Sequence, residues 1–262
     1  MSDLAADLAA ESADIDALVD PLPEPDWEIP TPAAGWLIRD QISHLAYFDG
    51  TTVQSIVDPE GFQVHMREML VWGFEFPDRV ALEHRAVPAA ELRAWWRRAR
   101  QNLIDCAKDR DPGERVPWYG PSMSLASSIT ARIMETWAHG QDIADALGVN
   151  RRPTERLRHI AHLGIGARAF SYQANKLETP DAPIRVELLA PDGTQWTWGP
   201  AEAADRVAGD ALDFCLLVTQ RRHRDEVALR IVGDAASSWM RIAQAFAGAA
   251  GPGRPAPVSD RR

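Results

Sequence analysis

The sequence is poor in cysteine and lysine, and no long apolar run interrupts it. Its two cysteines, Cys106 and Cys215, each sit inside an apolar helical pattern. A disulfide framework is therefore excluded, as is a thiolate-rich metal or iron–sulfur site. The same shortage sets aside radical, cluster-dependent RNA modification, which needs three grouped cysteines. Only Lys108 and Lys176 are lysines among the 28 basic residues, which together with the many alanines goes with a GC-rich genome. No apolar stretch approaches the roughly 20 residues of a membrane span. The opening segment MSDLAADLAAESADIDALVD is acidic and amphipathic, whereas a secretory signal starts basic and turns apolar. A cytoplasmic location without a membrane partner is expected. The net charge of −10 repels phosphate backbones. The one basic cluster, TQRRHRDE (219–226), is short and runs into acids, so no nucleic-acid partner is expected either. A GxSxG elbow, a phosphate-cradling glycine loop and a dinucleotide fingerprint are also missing.

What is present is an ordinary globular composition over 262 residues, 45% hydrophobic and 25% charged, long enough for a sizeable core. Helical periodicity predicts helices over about 2–20, 36–57, 61–72, from Pro88 through ELRAWWRRARQNLIDCAKD, over 123–147 ending at Gly148, and over 153–175. Two proline-rich segments, 21–36 and 111–122, read as rigid loops. After Pro183 the period changes. IRVELLA-PDG-TQWTWG (184–199) alternates about a turn, as a hairpin does. Helix is expected again over 210–222, a strand over 226–233 and a closing helix over 234–248. The expected organisation is a helical bundle over 1–180, a small α/β domain over 181–248, and a Gly/Pro-rich disordered tail over 249–262.

On a helical wheel for 123–147, Ser128, Ala131, Glu135, His139, Asp142 and Ala146 form one narrow stripe opposite an apolar back. The Glu-x3-His spacing stacks carboxylate and imidazole on one face, and their small neighbours leave room above them. His44 lies on the face of the second helix opposite Ile38, Ile42 and Leu45. A helix apolar on two sides sits centrally in a bundle, which turns His44 inward. Two histidines and a glutamate on separate helices match an open three-ligand metal site. The alternatives at this level are a solvated Glu135–His139 pair with Arg132 completing a surface salt bridge, and His44 as a core histidine bonded to a carbonyl. His159 and His162 read as structural, and His65, His84 and His223 as surface or packing residues. Trp118 and Tyr119, in the loop before the Glu-x3-His helix, are candidates for a pocket wall.

The segments PTPAAGWLIRDQISHLAYFD (30–49) and ARIMETWAHGQDIADALG (131–148) resemble the two signature regions of DinB-like metal-binding bundles. They are most similar to the branch typified by mycothiol-dependent maleylpyruvate isomerase, and within it to an actinobacterial subgroup without an assigned activity. In that branch a Gly-Trp-x5–8-His element gives one metal ligand and Glu-x3-His the other two, which here are His44, Glu135 and His139. Residues 206–246 resemble the small α/β domain that follows the bundle, so the resemblance spans nearly the whole chain. The branch carries a Gly-Arg element for substrate handling, where this sequence has Gln220, Arg221 and Arg222.

The resemblance implies an up-down bundle plus a small α/β domain. It also implies a divalent metal, zinc first by ligand set, with iron, nickel and manganese also open. Mycothiol is the implied co-substrate. The expected reaction is activation of this thiol for addition to an electrophilic small molecule, by an isomerase or S-transferase. Asp142, on the ligand stripe, is a candidate to orient a ligand or relay a proton, with an ordinary helix-surface acid as the alternative. Arg221 or Arg222 is a candidate receptor for a carboxylate. A metal-dependent hydrolase using activated water and a non-catalytic metal-stabilised binding module are the competing readings.

Overall fold

Helix α1 (Ser2–Val19) buries Leu8, Ile15 and Val19, the i, i+7, i+11 stripe its sequence shows. The chain then runs through the proline-rich segment to α2 (Ile38–Val57). The start of α2 is held by Asp40, whose carboxylate accepts from the Leu37 amide at 2.8 Å and is gripped by Arg85 at 2.6 Å. This closes the first turn just ahead of His44. Helices α3 (Pro59–Leu70) and α4 (Phe76–Glu83) follow and pack against α2. α5 (Ala89–Ala107) begins where the Glu24 carboxylate accepts from the Ala89 amide at 3.0 Å, a negative charge at a helix N-terminus. Strands β1 (Arg115–Val116) and β2 (Met123–Ser124) pair antiparallel and lead into α6 (Leu125–Leu147). Ser124 caps α6 through the Ser127 amide, and Gly148 ends it at φ +65°.

Helices α1, α2, α5 and α6 form the bundle, α1 and α2 each packing on both α5 and α6. Its core joins Ile15, Ile42, Leu45, Leu92, Trp96 and Ile143, each contributing roughly 1.5–3 kcal/mol by burial. Gly140 allows α1 to approach α6 closely, since a Cβ there would lie 2.7 Å from Ile15 Cγ1.

The second unit comprises α7 (Leu157–Gly166), α8 (Arg168–Ala174), β3 (Ile184–Leu189), β4 (Gln195–Trp198), β5 (Asp205–Asp210), α9 (Ala211–Val218), β6 (Arg230–Val232) and α10 (Asp234–Ile242). The sheet order is β4-β3-β5-β6, with β3–β5 parallel and the other pairs antiparallel. Val186, Leu188 and Val207 are buried in the sheet, on which α9 and α10 pack. A helical region followed by a small sheet-containing domain is the fold class expected from the sequence.

The computed structural model describes residues 1–251 and 253–256. The tail expected to be disordered (249–262) falls partly on 252 and 257–262, outside the described residues. No helix among the described residues is long and apolar enough to cross a membrane.

Several elements differ from the sequence expectation: the closing helix ends at Ile242 rather than 248, and the strand expected over 226–233 is reduced to Arg230–Val232. α4 is an additional short helix. The helix expected over 153–175 breaks at Ala167 into α7 and α8. A two-stranded ladder bounds the 111–122 loop. β5 lies at the centre of a sheet for which only flanking strands were expected. The compact units meet at 151/152, earlier than the change of period near 180. The reason is that α7 packs on α9: a Cβ at Gly164 would lie 2.7 Å from Val218 Cγ2.

Candidate metal centre

His44 projects from the middle of α2, and Glu135 and His139 from consecutive turns of α6. The two helices run antiparallel, since Gln41 and His44 face His139 and Glu135 while Asp49 faces Arg132. Glu135 Oε2 lies 3.2 Å from His139 Nε2 and 3.8 Å from His44 Nε2. One donor atom from each of the three residues falls within 4.8 Å of the others. Nitrogen and oxygen donors at the vertices of a zinc tetrahedron are about 3.3 Å apart, so the spacing fits a metal ion. The decisive feature is His44. It is 8% exposed, yet neither ring nitrogen has a hydrogen-bond partner. A buried imidazole without a partner costs free energy, and a metal ion would remove that cost. The core-histidine alternative, with a carbonyl partner, is not what the structure shows.

Burial, with His139 adding to it, pulls His44 down to about 3, so the ring is neutral and ready as a ligand. Burial alone would push the Glu135 carboxyl up, but the two imidazoles beside it outweigh burial and hold the group well below the usual carboxylate range. A test follows for the metal-free chain. An unfolded histidine takes up a proton near 6.5, so between that value and about 3 the unfolded chain binds more protons than the folded one. Stability therefore falls with pH, by about 2 kcal/mol from this residue between about pH 7 and pH 5. Urea unfolding at the two pH values measures it, and His44→Gln is expected to flatten the slope. An unchanged slope would contradict the depressed pKa.

Two aromatic side chains wall the centre. Trp36 stacks on His139 at 5.8 Å and 19° and meets His44 edge-on at 5.3 Å. Its indole N–H donates to Asp78 Oδ1 at 2.6 Å, so α4 helps to hold it. Phe48, one turn past His44, lies 4.5 Å from the imidazole. Behind Phe48 stand Phe76, Trp118 and Tyr119, so the pair proposed as a pocket wall backs Phe48 rather than the ligands. His65 Nε2 is within hydrogen-bond distance of the Tyr47 and Tyr119 hydroxyls, at 2.9 and 3.2 Å. Burial pushes the Tyr119 phenol up, which keeps it neutral.

Arg132 is not part of a surface salt bridge. It is 3% exposed and pairs with the fully buried Asp49 at 3.0 Å. Arg100 of α5 holds the other Asp49 oxygen at 2.9 Å and donates to Thr136 Oγ1 at 2.8 Å. One carboxylate thus ties α2, α5 and α6 together beside the ligands. Burial pulls Arg100 down to about 10, with Asp49 opposing the shift, so the guanidinium stays charged.

Asp142 is buried one turn beyond His139. Arg221 and Arg222 belong to the second unit, just after α9. Their guanidinium groups donate to the Thr219 and Arg221 carbonyls at 2.8 and 2.7 Å, and Arg222 lines a cavity of about 320 Å³ with His223, Arg224 and Arg241. Gln220 adopts φ +59°, the left-handed region that favours glycine. His84 Nδ1 donates to the Val80 carbonyl at 2.7 Å, and its ring stacks on Trp95; His223 caps a short 3-10 turn. The wheel missed Gln41 and Trp36, both of which touch His139. Gln41 is three residues before His44 on the same helix, and that spacing was the available signal.

Residues 8–144 match the family model described as mycothiol maleylpyruvate isomerase N-terminal domain. The chain belongs to this family. Uncharacterized proteins from two strains of Mycobacterium tuberculosis are 49% identical over 249 residues, covering 95% of this chain and 97% of theirs. The crystal structure of the mycothiol-dependent maleylpyruvate isomerase superposes with a TM-score of 0.56 at 13% identity, covering 84% of this chain and 89% of that one. A histidine-to-alanine mutant of that enzyme gives 0.58 at 13%, covering 87% and 91%. At this identity the likeness is one of fold. Residues 180–230 match a second model, wyosine base formation, which covers β3 to the start of β6. The two cysteines of the chain are too few for the cluster chemistry set aside above.

Proposed function

We propose that this family member activates a low-molecular-weight thiol, mycothiol, for addition to an electrophilic small molecule, acting as an isomerase or S-transferase. A divalent metal, zinc first by ligand set, would be held by His44, Glu135 and His139. The observation that carries the reading is the partnerless buried imidazole of His44 facing Glu135 and His139; membership of the family supports the thiol. When bound, such an ion stabilises a thiol as its thiolate near neutral pH.

The chain's own residues supply the rest. With a divalent ion held, Glu135 would be the single anionic ligand, which would leave the centre net positive for an anionic sulfur. Trp36 and Phe48 cover the imidazoles with apolar surface, which excludes water and strengthens electrostatics within the site. Asp142, on the same stripe, is proposed to orient a ligand or pass on a proton. Arg221 or Arg222 is proposed to bind a carboxylate of the electrophile.

The test is turnover of electrophiles, maleylpyruvate among them, by zinc-loaded protein with and without mycothiol. Consumption that depends on the thiol is expected. Turnover of esters or amides without thiol would replace this reading with hydrolysis, and binding without turnover would replace it with a binding module.

A further inference from the structure

His139 Nδ1 meets the side-chain oxygen of Gln41, and the Gln41 amide nitrogen lies 2.8 Å from Thr31 Oγ1. Thr31 Oγ1 in turn lies 2.9 Å from the Trp36 carbonyl. The direction of this chain follows from donor counting. A carbonyl oxygen only accepts, and two oxygens at 2.9 Å with no proton between them repel, so the Thr31 hydroxyl proton points at Trp36. The hydroxyl has no second proton, so it accepts from Gln41, which must turn its NH2 group toward Thr31. Its oxygen then faces His139, whose Nδ1 must carry the hydrogen. Nε2 is left to face Glu135 Oε2 at 3.2 Å, the side on which a metal ion would be shared. Gln41 is fully buried and Thr31 nearly so, so water does not offer an alternative partner.

We infer that Gln41 and Thr31 are positioning residues that fix His139 in the Nδ1–H form and aim Nε2 at the metal. The inference rests on the metal reading above only for the ion; the proton on Nδ1 stands on the hydrogen-bond chain itself. Thr31 is held by a loop bent back on itself, with the Thr31 amide donating to the Trp36 carbonyl at 2.8 Å and Pro30 bridging Leu37. The residue that stacks on His139 thus also terminates the relay that orients it.

Three variants and one spectroscopic signature test this. Zinc affinity is expected to fall by about 10- to 100-fold in Gln41→Leu, as for other partners of metal-bound histidines. Gln41→Glu still accepts from Nδ1 but loses the NH2 that Thr31 accepts from, and is expected to keep more affinity than Gln41→Leu. Thr31→Val touches no ligand but frees the Gln41 amide to turn over, and an intermediate loss is expected. In NMR spectra the His139 Nδ1–H proton, assigned by its disappearance in His139→Gln, is expected to be slowly exchanging in metal-free and zinc-loaded protein alike. It should be lost or fast in Gln41→Leu and Thr31→Val. A metal-free parent without a proton on Nδ1 overturns the inference. So do variants that melt like the parent and keep both the protected proton and the affinity. If the parent itself binds no zinc, the metal reading fails, while the Nδ1–H resonance still decides the relay.

Discussion

Alanine at any one of His44, Glu135 or His139 is expected to strip the purified chain of its divalent metal. The parent should hold one equivalent after dialysis, and each variant should hold little, with affinity lowered by more than about a hundredfold, beyond the cost of losing an outer partner. The expectation rests on how the ligands are placed. Two come from consecutive turns of α6 and are fixed relative to each other by the helix itself, and the third comes from α2. Removing either α6 ligand leaves a single residue on that helix facing His44. Removing His44 leaves a Glu135–His139 pair, with 3.2 Å between its donor atoms, as two ligands where the parent has three. Elemental analysis measures the outcome, and circular dichroism checks that the helices persist. Stoichiometric metal in all three variants would refute the centre.

Neutralising Asp49 is expected to be the most destabilising single change in the bundle. Asp49→Asn keeps the shape but removes the carboxylate shared by Arg100 and Arg132, leaving two guanidinium groups inside the protein. Breaking a buried pair from one side costs about 3–5 kcal/mol, and here one residue serves two partners. Surface pairs such as Arg97–Asp16, with both side chains at least 30% exposed, should contribute no more than about 1 kcal/mol. Urea unfolding at neutral pH compares Asp49→Asn with Asp16→Asn. Replacing all three charged residues together by apolar ones should recover much of the loss. Equal, small losses in the two single variants would show that the interior does not hold these charges as the structure places them.

The three candidate ligands are legible in the sequence because their signal is local. Glu135 and His139 are four residues apart on one helix, and His44 lies on a helix whose two apolar sides announce its central position. The residues that support them were not legible, because their partners are distant in the chain. Arg132 reads as a helix-surface charge until Asp49, 83 residues away, is brought against it. Gln41 becomes informative only when the Thr31 loop is folded back over α2. The missing elements have similar causes. β5, DRVAGD, has one fully buried apolar residue, Val207, so its alternation is too weak to read, although its place between β3 and β6 makes it central. α4 has eight residues, too few for a helical period to stand out. The hairpin was clear because Pro-Asp-Gly marks the turn and Asp192 accepts from Thr194.

The three residues that would do the chemistry are not the three charged residues that clamp the helices. Asp49, Arg100 and Arg132 hold α2, α5 and α6 in place beside the centre without contributing a donor to it. Stability and the proposed reaction would therefore draw on different positions in the same few turns. A substitution that silences the centre deprives a lineage of its reaction but leaves it a bundle, and descendants can give that bundle another use.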